Sequence, residues 1–369
     1  THQQKYRRLI KRSIFKNFRD CLFRYFDYIY TMAPSYHFLT DIFRLVIFVQ
    51  QCIMAFFPFD QVLWPRNKLL GRIFNVCSVI SVICPTSVNS ITHFIVTLVI
   101  YALLLLFYIF FFSNLYIFLK MSKVQSVFVS AITIHLNVLQ PYLINMISSH
   151  IGRDVHYIIE NDERVLHIVN LILGFIFLSF LVVFQSFLVS PSLTFRPQVT
   201  HIMYSKFSLL YNHSYILIFF LTTLGGMRSS LTGLIMSIIT IFPTVFLIYM
   251  SFKQHLWANI RSMYMSQAFS IIFLAFVIVL PILSYENIEG SEVIILVFLV
   301  LVSILFFALE KVYQKVMAKT VELINQVSDD ESLIDTLSYT KIIALLRYGF
   351  DNGHPLCHTW KLFELALKK

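Results

Sequence analysis

Residues 90–119 read SITHFIVTLVIYALLLLFYIFFFSNLYIFL and contain no Asp, Glu, Lys or Arg. A helix needs roughly 20 mostly apolar residues to cross a hydrocarbon layer, and charges are costly at its centre. The stretch exceeds this length and therefore predicts a transmembrane helix. It ends a longer uncharged interval that begins at Ile73, in which Pro85 provides a break between two helices because proline lacks a backbone donor.

The composition of the whole chain points to lipid as its main partner. Of 369 residues, 58% are hydrophobic and only 13% are charged, whereas soluble domains carry about a quarter charged residues. The net charge of +10 would suggest nucleic acid in a soluble protein. Here the bases lie at the ends of apolar segments, where they indicate topology, so we expect a lipid bilayer partner and no nucleic acid.

Charge-free intervals locate the other spans, because charges are expensive at the bilayer centre. The intervals lie between Arg44 and Asp60, Arg72 and Lys120, Lys123 and Arg153, Arg164 and Arg196, Lys206 and Arg228, Arg228 and Lys253, Arg261 and Glu286, and Glu292 and Glu310. Residues 73–88 are the most polar of these segments and either span the bilayer or lie at its interface. The predicted fold is all-α, a polytopic transmembrane helix bundle of about eight spans, within a range of seven to nine.

The distribution of bases predicts that both termini are cytoplasmic. Lysines follow the last span, and the loop before that span, residues 284–292, is acidic and carries no base. The N-terminal segment is strongly basic and holds Lys5, Arg7, Arg8, Lys11, Arg12, Lys16, Arg19 and Arg24. Two cytoplasmic ends require an even number of spans, which favours eight spans with residues 73–88 interfacial or re-entrant, most plausibly in the plasma membrane.

Three domains follow from these patterns. Residues 1–40 form a basic amphipathic segment whose apolar stripe faces either anionic lipid headgroups or the protein itself. Residues 41–317 form the transmembrane bundle, which is also compatible with a homo-oligomer. Residues 318–369 form a cytosolic helical segment in which Trp360, Phe363 and Ala366 share one helix face. One helix pair cannot bury its own face, so we expect the start of a helical repeat that continues in a larger protein.

The predicted intramembrane polar site is His135, Asn137 and Gln140, which precede Pro141 in a span over residues 124–147. Buried polar side chains in a membrane face the bundle interior and can mark a ligand or ion pathway. The alternative is hydrogen bonding between helices around a proline kink. Both interpretations remain open from the sequence alone.

Catalysis is not expected within this chain. The sequence lacks a glycine-rich phosphate loop, an HExxH motif and paired carboxylates inside an apolar span. The five cysteines are scattered, and His354, Cys357 and His358 do not have a recognised zinc spacing. We therefore expect no catalytic residue, no cofactor and no metal site.

Two segments near the C-terminus resemble a known family. Residues 345–355 read LLRYGFDNGHP and residues 360–367 read WKLFELAL. Together they resemble the passage from membrane region to helical repeats in the protist tiny macrocysts family and in related multi-pass adenylate/guanylate cyclases. Phe57-Pro58 and Trp64-Pro65 are similar to that family's first loop. The resemblance implies a sensory or scaffold membrane region feeding cytosolic repeats, with PAS and class III cyclase domains in some members.

Three functions are compatible with this sequence. The leading hypothesis is a receptor-like membrane region that transmits a signal to a C-terminal cytosolic effector such as a nucleotide cyclase, although none of the cyclase residues lies in this chain. The alternative is a transporter or channel, which Pro85 and Pro141 support as breaks in two helices. An insect-type chemoreceptor is the third, and the predicted repeat after the last span argues against it.

Overall fold

The computed structural model describes residues 18, 21–22, 24–26, 28–29, 37–56, 63, 69–82, 88–121, 126–185, 208–226, 230–253, 260–285 and 292–329. Within these residues the chain is helical and contains no strand, which confirms the all-helical prediction. Four helices there are long and apolar enough to cross a membrane, and they indicate a membrane protein. Their apolar portions are Ser90–Phe118, Arg164–Val183, Leu231–Phe252 and Tyr264–Ser284.

Ten α-helices follow one another along the described chain. They are α1 His37–Phe56, α2 Leu69–Val82, α3 Ser90–Met121, α4 Ser126–Ile134, α5 Gln140–Glu160, α6 Arg164–Val183, α7 Ser208–Gly226, α8 Ser230–Lys253, α9 Ile260–Tyr285 and α10 Glu292–Asp329. A π-helical turn over His135–Leu139 joins α4 to α5 without a break.

Two apolar clusters hold the helices together. One joins α1, α7, α8 and α9 through residues such as Met54, Phe219 and Phe273. The other joins α3, α4, α5 and α6, with Phe111 and Leu181 among its fully buried members. Helix α5 links the two groups, because it packs most extensively against α6 on one side and α7 on the other.

The outer faces of α3, α6 and α8 are apolar and exposed. Leu106 of α3 is 62% exposed and Phe242 of α8 is 74% exposed, as expected for side chains that contact acyl chains. Helix α5 has the opposite character, since 13 of its 21 residues are buried and many of these are polar. The most polar helix of this region is therefore also the most enclosed one.

The π-helical turn before Pro141 follows from the chemistry of proline. Pro141 has no N–H to offer the carbonyl four residues earlier, and its ring crowds that turn. The backbone N–H of Gln140 instead donates to the carbonyl of His135, five residues back. The wider turn removes the conflict, so the helix that begins at Ser126 continues to Glu160, beyond the span predicted over residues 124–147.

The N-terminal segment packs on the bundle where the structure describes it. Leu22, Tyr25, Phe26 and Ile29 are fully buried in the cluster of α3 to α6, and the ring centroids of Tyr25 and Phe111 lie 5.6 Å apart. This is the packing against the protein itself that the sequence left open. At the other end, α10 runs through residue 318, where the sequence placed a domain boundary, and residues 330–369 lie outside the described part.

Candidate functional site

A tight hairpin brings the ends of α5 and α6 together. Its loop is Asn161, Asp162 and Glu163, and both Asn161 (φ 60°) and Glu163 (φ 44°) have left-handed backbone conformations. The Asp162 N–H donates to the carbonyl of Tyr157 at 3.0 Å, which closes the last turn of α5. Residues near the end of α5 therefore face residues near the start of α6.

Asp154 of α5 lies at the centre of a group of buried polar side chains. One of its carboxylate oxygens, Oδ1, is 2.7 Å from Nδ1 of His167 and 3.3 Å from Nε2 of His93. The side-chain amide of Asn170, one turn beyond His167, donates to the same oxygen at 3.5 Å. All four side chains are 0% exposed. We refer to His93, Asp154 and His167 as the His–Asp cluster.

The start of α3 fixes the position of His93. The side chain of Asn89 caps this helix, since its Oδ1 accepts a hydrogen bond from the Thr92 N–H at 2.9 Å. The Asn89 carbonyl accepts the N–H of His93 itself at 3.0 Å. Tyr157 of α5 donates its hydroxyl to the carbonyl of Val88 at 3.1 Å and so ties the entry of α3 to α5.

Aromatic and charged neighbours enclose the cluster. The ring centroid of His93 is 5.0 Å from that of His150, and the ring of Tyr157 stacks on His167 at 4.6 Å. Arg153 is fully buried beside Asp154. Arg153 therefore brings a buried positive charge into the neighbourhood of the cluster.

The cluster lies close to one end of the bundle. His93 is three residues from the start of α3, His167 is three residues from the start of α6, and Asp154 is six residues from the end of α5. At 1.5 Å per residue, these positions are about 5–9 Å from the helix ends. The site thus lies near one end of the helix bundle and not at its middle.

Hydrogen bonds connect α5 to the other half of the bundle. Asn145 donates to Oε1 of Gln50 in α1 at 3.1 Å, and Thr223 of α7 donates to the hydroxyl of Ser149 at 3.0 Å. A second group on α1 continues this path: Tyr215 donates to Gln51 at 3.1 Å, and Gln51 donates to Ser270 of α9 at 3.3 Å. Polar contacts therefore lead from α5 through α1 and α7 to α9.

The sequence-predicted residues occupy a different region. His135 is 5% exposed and stacks on Phe107 with 3.6 Å between ring centroids, while Gln140 donates to the carbonyl of Leu181 at 3.1 Å. These contacts lie on different helices, α3 for His135 and α6 for Gln140. The side chain of Asn137 and the residues Trp360, Phe363 and Ala366 lie outside the described residues.

The sequence alone did not identify the His–Asp cluster, because charged residues were used to locate the ends of membrane spans. Arg153 ends one uncharged interval and Arg164 begins the next, so Asp154 falls between two predicted spans. One local signal was available: His150 and Asp154 are four residues apart and therefore share a helix face. Their partners His93 and His167 are remote in sequence, and the pairing of helices that unites them was not visible.

Imidazole nitrogens and a carboxylate oxygen can together hold a metal ion or share protons. The three ligating atoms of the His–Asp cluster lie within 4.8 Å of one another. No protein-family model, no curated protein and no solved structure matches the chain. The function of this site is therefore inferred from its own geometry.

Proposed function

We propose that the chain is the receptor-like membrane region of a signalling protein, which senses a stimulus at the His–Asp cluster and transmits it to a cytosolic effector. The observation that carries this proposal is α10, a single helix of 38 residues. Such a helix is about 57 Å long, whereas a bilayer with its headgroups is about 40–45 Å thick. Helix α10 can therefore span the membrane and still extend well beyond it.

The two halves of α10 have different surfaces. Exposed apolar residues such as Leu301 and Phe307 occupy its first half, and exposed bases such as Lys315 and Lys319 follow in the second. The first half packs on the cluster of α1, α7, α8 and α9 through Val302 and Leu305, among others. A stiff helix attached to the bundle at one end can carry a displacement out of the membrane at the other.

A continuous set of contacts supports coupling from the His–Asp cluster to α10. Asp154 and Ser149 both belong to α5, and Ser149 is hydrogen-bonded to α7. Tyr215 of α7 and Ser270 of α9 share Gln51 as their partner, and α9 packs against α10. A shift of α5 caused by a change at Asp154 would therefore act on every helix up to α10.

The topology that we propose has eight spans with both termini in the cytoplasm of a plasma-membrane protein. Helix α2 has only 14 residues and is about 21 Å long, which is shorter than a hydrocarbon layer of about 30 Å. We therefore leave α2 out and count α4, the π-helical turn and α5 as one span. Together with α1, α3 and α6 to α10, this makes eight spans. This topology places the His–Asp cluster on the extracytoplasmic side, where an external stimulus can reach it.

The effector that we propose is a nucleotide cyclase that follows a cytosolic helical repeat. Its support is the resemblance of residues 345–367 to the tiny macrocysts family and related cyclases. Bases in the N-terminal segment are proposed to contact anionic lipid headgroups, and the exposed face of α10 is open to pairing in a homo-oligomer.

Insertions into α10 of the full-length protein test the proposal. One to four alanines are placed between Lys319 and Thr320, and the cyclic-nucleotide content of expressing cells is measured. Each residue rotates the following helix by about 100°, so two insertions should abolish the regulated output, while four should largely restore it. Output that is the same for every insertion would contradict transmission through α10.

A transporter or channel is the second candidate, and the buried polar residues along α5 favour it. Polar side chains extend from Gln140 to Asp154, and the π-helical turn is a geometry often found at functional sites. Purified protein in liposomes should then conduct ions, and replacing His135 and Asn137 with alanine should abolish the flux. Under the receptor proposal, the same liposomes show no flux above those without protein.

A further inference from the structure

We propose that His93, Asp154 and His167 bind one divalent transition-metal ion, for which Zn²⁺ is the best match. Each ligand comes from a different helix, α3, α5 or α6, so the ion would join three helices near one end of the bundle. Two imidazoles with one carboxylate form a donor set that zinc uses when its fourth position is left for water or a ligand. The His–Asp cluster therefore has the chemistry of an open zinc site.

The spacing of the ligands is close to what such an ion requires. Bonds of about 2.0–2.2 Å place tetrahedral ligand atoms about 3.3 Å apart and two imidazole centroids about 5–6 Å apart. Nε2 of His93 is 3.3 Å from Oδ1 of Asp154, and the His93 and His167 centroids are 5.9 Å apart. Nδ1 of His167 lies 2.7 Å from the same oxygen, so binding requires that pair to separate by roughly 0.6 Å.

A second, independent observation points to a ligand. Nε2 of His93 faces Asp154 but makes no hydrogen bond, and Oδ2 of Asp154 has no hydrogen-bond partner in the part of the chain that the structure describes. Both side chains are 0% exposed. Buried polar atoms are nearly always satisfied in folded proteins. A cation bound between these side chains would give Nε2 of His93 a partner.

The surroundings select the class of metal. Arg153 is close enough to affect His93 electrostatically and would oppose any cation held mainly by charge. Ca²⁺ and Mg²⁺ depend on several oxygen ligands, and this site offers a single carboxylate. Zn²⁺, Co²⁺, Ni²⁺ and Cu²⁺ bind imidazole strongly, so they are the ions that two histidines can hold beside an arginine.

Metal binding would also determine which ring nitrogen of His167 carries the proton. In the absence of metal, its Nδ1–H donates to Asp154. A metal on Nδ1 requires the other tautomer, with the proton on Nε2.

That the ion is the stimulus of the receptor rests on the proposed function, whereas its binding to these three residues does not.

Metal binding by the purified 369-residue chain in detergent micelles tests the inference. The protein is stripped with a chelator and titrated with Co²⁺, whose visible absorption reports tetrahedral coordination, and Zn²⁺ is then added as competitor. Equilibrium dialysis measures the stoichiometry. We expect one Co²⁺ per chain, displaced by Zn²⁺ and not by Mg²⁺.

Near-isosteric variants assign the site to its residues. Asp154→Asn and His167→Gln should each weaken Zn²⁺ binding by at least about tenfold. His135→Gln is the matched control, because His135 is also a buried histidine of the bundle but contacts Phe107 instead of the cluster. Helical circular dichroism and the size-exclusion profile exclude variants that do not fold.

Each outcome decides between the two proposals or against one of them. If the folded wild-type chain binds no Co²⁺ or Zn²⁺, or if His135→Gln weakens binding as much as Asp154→Asn, the metal site is wrong. If the metal binds but Zn²⁺ does not change the cyclic-nucleotide output of the full-length protein, the site stands and its sensory role fails. Altered output from α10 insertions without metal binding would support the receptor alone.

Discussion

Asp154 holds the ends of three helices together through one carboxylate oxygen. His167 and Asn170 of α6 are hydrogen-bonded to it, and His93 of α3 faces it at 3.3 Å. Among the acidic side chains whose burial the structure describes, Asp154 alone is fully buried. Removal of this carboxylate would leave the buried Nδ1–H of His167 and the side-chain amide of Asn170 without their acceptor.

We predict that Asp154→Ala lowers the free energy of unfolding by about 2–6 kcal/mol, because two buried donors lose their acceptor and each unsatisfied buried donor costs about 1–3 kcal/mol. The measurement is reversible unfolding in mixed detergent micelles, followed by circular dichroism. Asp162→Ala is the control, since Asp162 is an exposed loop residue eight positions away. Equal losses in the two variants would contradict the structural role of Asp154.

Glu163 has a backbone conformation that disfavours its own side chain. Its φ of 44° lies in the left-handed region, which costs a residue with a Cβ about 1 kcal/mol relative to glycine. We predict that Glu163→Gly stabilises the chain by about that amount in the same unfolding assay. Glu160→Gly, three residues earlier within α5, should instead be destabilising, and a stabilising result there would contradict the explanation.

At the residue scale, the sequence predicted the burial of the polar side chains near Pro141 but not the burial of the histidines in the His–Asp cluster. His135 and Gln140 lie inside an uncharged interval, so their burial followed from the position of the span. His93 and His167 lie at helix starts, where a polar residue is normally solvated. Their burial depends on the α5–α6 hairpin and the packing of α3, which are tertiary interactions that a local sequence pattern does not reveal.

Helices α5 and α7 approach each other closely at Gly152. A Cβ on this residue would lie 2.9 Å from the carbonyl oxygen of Phe220 and 3.2 Å from Cβ of Thr223. Small residues of this kind let helix backbones come together within a membrane, where dispersion contacts and hydrogen bonds drive association. The contact adjoins the hydrogen bond between Ser149 and Thr223.

We predict that Gly152→Ala destabilises the bundle by about 1–3 kcal/mol, because backbone atoms of α7 must move to admit the methyl group. Gly174→Ala is the matched control. Its new Cβ would meet the hydroxyl of Tyr101 and a side-chain carbon of Ile151, which can rotate away. Thermal unfolding of the two variants in detergent should rank Gly152→Ala clearly below Gly174→Ala; the reverse order would contradict the close approach.

At the element scale, the sequence located helices well and their ends less well. The uncharged stretch over residues 90–119 corresponds to α3, Ser90–Met121. The span expected over residues 124–147 continues to Glu160, because Arg153 and Asp154 are buried together and do not end the helix. Charges mark helix ends only when they are solvated, and these two are not.

At the scale of the whole molecule, the proposed topology assigns opposite sides to two exposed positions. Asp162 lies in the α5–α6 loop, and Lys319 lies in the second half of α10. We predict that Asp162→Cys reacts with a membrane-impermeant maleimide on intact cells, whereas Lys319→Cys reacts only after permeabilisation.

The labelling is carried out in a background in which the five native cysteines are replaced by alanine. An Asn161→Cys variant in the same loop serves as a second extracytoplasmic reporter. Labelling of Asp162→Cys and Lys319→Cys on the same side would exclude the eight-span arrangement, because an odd number of crossings separates these residues in it.

The π-helical turn over His135–Leu139 determines how α4 is rotated about the helix axis relative to α5. It accommodates one residue more per turn than an α-helix, so deleting one residue there would rotate α4 by about 100° relative to α5. Val129, which is buried now, would then take the half-buried position of Ser130, and Ser130 would take the exposed position of Ala131. The presence or absence of one residue thus determines which side chains of this span face the lipid.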